Sequence, residues 1–183
     1  QLIASRNLER MHHNVSNILN MFVLMGKRQA IRHGRSSLRK VTKKVCETLG
    51  YLIEKKKLKI TLDIPRSVDM LPLSEKDLHT LMYNIIDNSL KFTCRGGIRV
   101  TARLKQAQVY IKIKDTGLGI PVQDIPKVFD RFYKRNAALA GTGLGLSICK
   151  EIVVGHQGSI KVTSVGEGKG TVLHITLPRT AKQ

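Results

Sequence analysis

Residues 98 to 114 constrain the fold more tightly than any other stretch of the chain. Ile98, Val100 and Ala102 alternate with Arg99, Thr101 and Arg103, and Val109, Ile111 and Ile113 then alternate with Tyr110, Lys112 and Lys114. A period of two puts the aliphatic side chains on one face of two antiparallel strands joined as a hairpin. Directly after it runs Asp115-Thr116-Gly117-Leu118-Gly119-Ile120-Pro121, one carboxylate beside two glycines that stop at a proline. Such a segment suits a plain turn, or a backbone that a flat ligand approaches closely.

Helical periodicity supplies the cover for the apolar face. Leu78, Leu81, Met82, Ile85, Ile86 and Leu90 form a broad stripe, and Ser74 with Asp77 three residues on resembles a capping box, with Asp in place of the usual Glu. Ser36 or Ser37 can cap an earlier helix with Leu38, Val41, Val45, Leu49, Leu52 and Ile53 on one face. Between these helices, residues 58–65 alternate as a strand ended by Pro65. Later come a glycine-closed helix over residues 144–158, a strand over 159–165, a tight Gly-rich turn and a last strand over 171–178. The expected class is α+β, an α/β sandwich with a mixed or antiparallel sheet covered by helices on one face.

Ahead of this domain, Leu8, Met11, Val15, Ile18, Phe22 and Met25 recur at steps of 3, 4, 3, 4 and 3, the seam of a helix that needs a partner helix. We therefore divide the chain into a helical dimerisation segment, residues 1–34, and one domain, residues 35–183. Between Pro121 and Gly145 the periodic pattern weakens, with residues 136–143 rich in small side chains, and the stretch reads as a long lid or binding loop.

Composition narrows the partners. The net charge of +19 invites nucleic acid, with Arg35, Arg39, Lys40, Lys43, Lys44, Lys55, Lys56, Lys57 and Lys59 close together. Aromatics make up only 4% of the chain, however, and none forms a stacking platform among these charges, so a solvated basic helix face suited to an acidic partner is favoured. Cys46, Cys94 and Cys149 fit neither a paired framework nor a metal spacing, which suggests a reducing cytosolic setting. No run approaches the roughly 18 apolar residues of a membrane span, and the Gln1 start suggests an excised piece whose membrane anchor, if it has one, lies elsewhere.

Four local features carry candidate chemistry. Asn84 and Asn88 lie one helical turn apart in the apolar stripe, and amide oxygens suit Mg²⁺ that takes substrate phosphates as its other ligands, although helix asparagines often make only ordinary hydrogen bonds. Asp115 can accept from an exocyclic amine beside Gly117 and Gly119. Gly141, Gly143 and Gly145 precede a helix start, where backbone N–H groups can face phosphate, yet their spacing fits neither the dinucleotide nor the P-loop pattern. Gly166-Glu167-Gly168-Lys169-Gly170 ahead of Thr171 reads by itself as a hairpin turn.

In order, "NIIDNSLKFT", "DTGLGIP", "VFDRFYK", "GTGLGLSI" and "GEGKGTVLHITLP" resemble the N box, first G box, F box, second G box and third G box of the catalytic, ATP-binding domain of sensor histidine kinases, within the Bergerat superfamily that includes DNA gyrase, a heat-shock chaperone family and mismatch-repair ATPases. The resemblance spans approximately residues 37–179 and implies a mixed sheet under helices, with ATP and Mg²⁺ as cofactors. By position, Asp115 is similar to the residue that takes the adenine amino group, with Gly117 and Gly119 beside it and Phe92 lining the base. Asn88 matches the Mg²⁺ ligand, Asn84 the polar residue one turn earlier, and Lys91 a basic residue facing phosphate. Phe129 and Phe132 match the lid-anchoring F box, Lys134 lies where an arginine often reaches phosphate, Gly141, Gly143, Leu144 and Gly145 match the phosphate-gripping end, and Thr171 a threonine near adenine. Two departures are Gln157, where a second glycine is common, and Asn84, where ATP-hydrolysing relatives carry a water-activating Glu; the latter favours kinase over ATPase.

The resemblance further implies transfer of the γ-phosphoryl group to a histidine on a dimeric hairpin, then to a response regulator, with a homodimer formed through the N-terminal helix. His12 and His13 loosely resemble an acceptor motif, but about seventy residues between them and the Asn pair leave little room for a whole hairpin, so the acceptor is expected outside this chain. His156 and His174 are assigned to structure. A pseudokinase that docks under nucleotide control, and a basic nucleic-acid-binding module, are the competing classes.

Overall fold

The computed structural model describes residues 34–135 and 141–179. The expected helix with its seam from Leu8 to Met25, and His12 and His13 with it, lies outside the described residues. The described chain runs β1 (Ser36–Ser37), α1 (Leu38–Thr48), α2 (Gly50–Lys55), β2 (Lys59–Asp63), β3 (Met70–Leu71), α3 (Glu75–Phe92), β4 (Gly97–Lys105), β5 (Gln108–Asp115), α4 (Gly145–Gly155), β6 (Ser159–Thr163) and β7 (Val172–Pro178). Short 3₁₀ turns occupy Arg66–Val68 and Val122–Lys127.

Five strands form one sheet in the order β2-β4-β5-β7-β6, and β1 pairs with β3 as a separate two-stranded ladder. Only β2 with β4 is parallel, so the main sheet is mixed. The alternation at residues 98–114 becomes the β4–β5 hairpin in full register, from Ile98 opposite Asp115 to Lys105 opposite Gln108. Its turn is unusual in residue type: Gln106 and Ala107 both take left-handed φ, 49 and 62°, where Asn and Gly are the ordinary occupants.

Ile98, Val100, Ala102, Val109, Ile111, Ile113, Leu173, Ile175 and Leu177 face inward onto the stripe of α3, whose Leu78, Leu81, Met82, Ile86 and Leu90 are almost wholly buried. Burial of each such α3 side chain contributes about 1.5–3 kcal/mol. The N-terminus of α3 is capped as its sequence requires, Ser74 Oγ accepting from Asp77 N at 3.1 Å. Its C-terminus is held from a distance: Lys56 Nζ donates to the carbonyls of Leu90, Lys91 (3.3 Å) and Thr93 (3.1 Å). A lysine there satisfies orphan carbonyls and complements the helix dipole.

Several expectations are corrected. The single helix read from Leu38 to Ile53 breaks at Leu49 (φ −92°, ψ 5°), which caps both α1 and α2. Ser37, not Ser36, is the cap of α1, accepting from Lys40 N at 3.0 Å, while Ser36 Oγ donates to Leu73 O. The basic run is only partly a solvated face, because Lys56 closes α3 and Arg39 donates to Ile64 O. Strand β6 ends at Thr163 because Ser164 turns into the neighbouring loop. The stretch after Pro121 is not wholly irregular, since Phe129 packs on the core beyond the Val122–Lys127 turn. Gln157, where the resemblance expects glycine, takes φ 58° at the end of α4. No helix among the described residues is long and apolar enough to cross a membrane.

Candidate active site

The site is assembled around the last three turns of α3 and the C-terminal end of β5. Asp115 closes β5 on its inward face and is 7% exposed. Its Oδ1 accepts from Gly117 N (2.9 Å) and Thr171 N (3.0 Å), and its Oδ2 receives only a long bond from Ser89 Oγ (3.4 Å). One oxygen is thus spent on fixing the turn and the other is left short of donors. Burial pushes the carboxyl above its ordinary range, against the lowering by the Gly117 and Thr171 N–H groups and the Ser89 hydroxyl.

The glycines beside Asp115 have a different cause from the one their sequence suggests. A methyl on Gly117 would lie 2.6 Å from the Phe92 carbonyl oxygen and 2.9 Å from Thr93 Oγ1, while Leu118 N donates to that same carbonyl at 3.0 Å. Gly119 has φ 70°, and a methyl there would overlap the Gly166 carbonyl. These positions are glycine because the chain packs against itself, irrespective of any visitor. The third Gly-rich turn does the packing: Gly170 N donates to Gly117 O (3.0 Å), Gly168 N to Leu118 O (2.6 Å), and the Gly170 position, at φ 72°, lies against the Asp115 carbonyl.

Ser164 joins the two turns. Its Oγ accepts from Ile120 N at 2.9 Å and donates to Gly170 O at 2.8 Å. Sequence reasoning missed both Ser164 and Ser89. Ser89 had a signal, a small polar residue facing into an otherwise apolar stripe directly after Asn88; Ser164, at a strand end, had none.

At the other end, Gly145 opens α4 against α3. A methyl there would stand 3.1 Å from Asn84 Oδ1 and 3.6 Å from Asn88 Nδ2, so the absent side chain sets the approach of helix start to Asn pair. Asn84 is buried and its Nδ2 donates to Thr80 O at 3.0 Å; Asn88 is half-buried. Lys91 Nζ pairs with Asp87 Oδ2 at 2.5 Å, and a methyl on Gly141 would sit 3.6 Å from that Nζ. Gly143, at φ 73°, packs against the Phe132 backbone, 2.7 Å from a would-be methyl. Leu144 is buried and its N donates to Thr142 Oγ1 at 3.3 Å, which orders the turn before α4.

Phe92, the last residue of α3, is partly exposed beside the Asp115 turn. Phe129 lies under Lys150, whose Nζ is 6.0 Å from the ring centroid, whereas Phe132 is exposed with φ 63°. Lys134 is exposed at the end of this stretch, and the adjacent Arg135 pairs with Glu167 of the third Gly-rich turn. Residues 136–140 lie outside the described residues.

The structure therefore gathers Asn84, Asn88, Lys91, Gly141 and Gly145 at one end, and Asp115, Gly117, Gly119 and Thr171 at the other, with Ser89 and Phe92 on the connecting helix. The chain is 43% identical over 124 residues to the sensor protein kinase WalK of Staphylococcus aureus, an alignment covering 63% of this chain and 29% of that protein. The chain thus spans under a third of that relative's length. The full-length ShkA structure in complex with AMPPNP superposes with a TM-score of 0.80 at 21% identity, covering 92% of this chain and 35% of that one. The histidine kinase AdeS of Acinetobacter baumannii gives 0.77 at 20% identity, over 94% of this chain and 80% of that one, and these two share the fold. Residues 73–181 match the family described as histidine kinase-, DNA gyrase B-, and HSP90-like ATPase, which takes in α3, the Asp115 turn and all three Gly-rich segments, and to that family the chain belongs.

Proposed function

We propose that the described domain binds ATP together with Mg²⁺ and delivers the γ-phosphoryl group to a histidine supplied by a dimeric helical hairpin, for relay to a response regulator. The observation that carries this reading is the placement of a donor-poor buried carboxylate and a glycine-opened helix start against adjoining sides of one helix, with Ser89 reaching the first and Asn84 and Asn88 bordering the second. Asp115 Oδ2 accepts from the adenine exocyclic amine, and Thr171, anchored to Oδ1, borders the base. The N–H groups at the start of α4 face the phosphates, where the helix dipole favours negative charge. Lys91 adds a cation at the same place. Lys134, exposed after the 3₁₀ segment, is assigned to the phosphates from the opposite side.

No group of three or more His, Cys, Asp or Glu side chains among the described residues could hold a metal ion. That fits Mg²⁺ carried by the nucleotide, which needs only one or two protein ligands. Asn88 would hold it, and Mg²⁺ when bound would neutralise charge between the β- and γ-phosphates. Transfer breaks the bond between the γ-phosphorus and its bridging oxygen, forms a phosphorus–nitrogen bond on the imidazole, and releases ADP. The domain's part is positioning and charge compensation.

The test is binding of a fluorescent ATP analogue with and without Mg²⁺ to the wild type, Asp115→Asn and Asn88→Ala, followed by transfer from ATP to an added histidine-bearing hairpin domain. Mg²⁺-dependent binding lost in Asp115→Asn, with an acid-labile phosphate on the hairpin, is the expected result. Binding without transfer would replace the kinase reading by a nucleotide-controlled docking module. Absence of binding would overturn both.

A further inference from the structure

The face of the sheet turned away from the helices carries a charge pattern that nothing in nucleotide binding uses. Along β5 the outward residues Tyr110, Lys112 and Lys114 are exposed, and Arg99 and Arg103 on β4, Lys59 on β2 and Lys161 on β6 are exposed beside them. Register turns these into rows across the strands. Arg99 stands opposite Lys114; Lys112 stands opposite Thr101 on one side and His174 on the other, and His174 stands opposite Lys161. Strands lie about 4.8 Å apart, so the cations form a closely spaced grid. Among the outward strand residues described, the one carboxylate is Asp63, and Arg103 takes it at 2.5 Å.

Such a grid costs the isolated fold something, because like charges directly opposite on neighbouring strands repel, as Arg99 and Lys114 do. His174 registers the field: after burial, Lys112 and Lys161 hold its imidazole below the ordinary range, and Thr163 Oγ1 is its hydrogen-bond neighbour at 3.0 Å. An anionic partner would convert this repulsion into attraction.

We propose that this open sheet face docks onto the anionic headgroups of a lipid bilayer. Three features select that partner. Among the described residues the face has a single exposed aromatic, Tyr110, already hydrogen-bonded to Gln108 Oε1 at 3.0 Å, so it offers no platform for stacked bases. Its central rows are lysine, arginine, histidine and threonine, without the buried apolar anchor that gives a protein partner most of its binding energy. The exposed lysine point charges stand in a layer rather than around a cleft, which suits a planar, laterally mobile layer of negative charge.

Sedimentation of the whole chain with vesicles of phosphatidylcholine containing phosphatidylglycerol, and with phosphatidylcholine vesicles alone, tests this. The sheet-face variant Lys112→Glu/Lys114→Glu/Lys161→Glu is set against Lys40→Glu/Lys43→Glu/Lys76→Glu on the helical side, an equal change of charge at exposed positions. A third variant, Lys112→Gln/Lys114→Gln/Lys161→Gln, removes charge without reversing it, and thermal melts followed by circular dichroism check that each is folded. We expect binding only to the anionic vesicles, lost at high salt, and weakened about tenfold or more by either sheet-face variant but only slightly by the helical-side one. Equal weakening by both Glu variants would reduce the effect to bulk charge and overturn the proposal. So would failure of the wild type to sediment, or tighter binding of duplex DNA through the same lysines, which would make the face a nucleic-acid surface.

Discussion

The two ends of the site are built on opposite principles. Around Asp115 the glycines are filled in by the chain: Gly117 by the Phe92 carbonyl, Gly119 by Gly166, Gly170 by the Asp115 carbonyl. At the other end Gly143 is likewise closed by the Phe132 backbone, but the two glycines that border the helix side chains leave room, with Gly141 in ordinary contact with Lys91 Nζ and Gly145 closed only by the tips of Asn84 and Asn88. One end is a rigid socket with a single underused acceptor, and the other is a set of side chains whose ends can move. A flat base needs a fixed edge to be recognised, whereas phosphates and their cation need ligands that adjust.

The largest expected effect tests the socket. Gly119→Ala combines a left-handed φ with overlap onto a carbonyl and should lower stability by about 3–5 kcal/mol in urea unfolding. Gly145→Ala should change stability by no more than about 1 kcal/mol, since alanine favours the helix, while weakening an ATP analogue by displacing the Asn84 amide. Equal destabilisation by the two would abolish the contrast.

Next is Asp115→Asn, for which we expect roughly a hundredfold loss of analogue affinity without loss of stability. The sign follows from the raised carboxyl. Folding favours the protonated form, so the contribution of Asp115 to stability is fully present below its unfolded value of 3.8 and is lost as pH rises through the folded value. The amide introduced by Asp115→Asn would keep an acceptor for Gly117 and Thr171 at every pH, so wild type should weaken relative to this variant as pH rises above the ordinary carboxylate value of about 4. A pH-independent difference in urea midpoint would contradict this account.

Ser164→Ala is a smaller perturbation. It removes the link between Ile120 and Gly170 and should cost about 1–2 kcal/mol, with a moderate rise in the analogue dissociation constant as the socket loosens. The smallest effect lies at the adjustable end. Asp87→Asn frees Lys91 from its helical ion pair, with a stability change of about 0.5 kcal/mol, and should tighten analogue binding a few-fold by releasing a cation toward phosphate. Weaker binding would mean that Asp87 holds Lys91 in its working position.

Much of this was legible because it depends on local periodicity. The β4–β5 hairpin followed from alternation alone, although its Gln106–Ala107 turn carries none of the usual turn residues. The cap at Ser74 followed from its spacing to Asp77. Where contacts join distant segments, pattern was silent or misleading. Lys56 read as one more solvated charge, yet it closes α3 more than thirty residues away. Ser164 looked like a strand residue until its hydroxyl was seen to tie two turns together.

The sequence by itself determined most of the elements and their inward faces, because side-chain period and capping act over a few residues, while the nucleotide-like order of its motifs rested on a family resemblance. The tertiary structure alone decided why the glycines are glycines, which oxygen of Asp115 is underused, and that exposed lysines from separate strands form one continuous basic face. Those properties arise from chain meeting chain across the fold, and no local pattern records such a meeting.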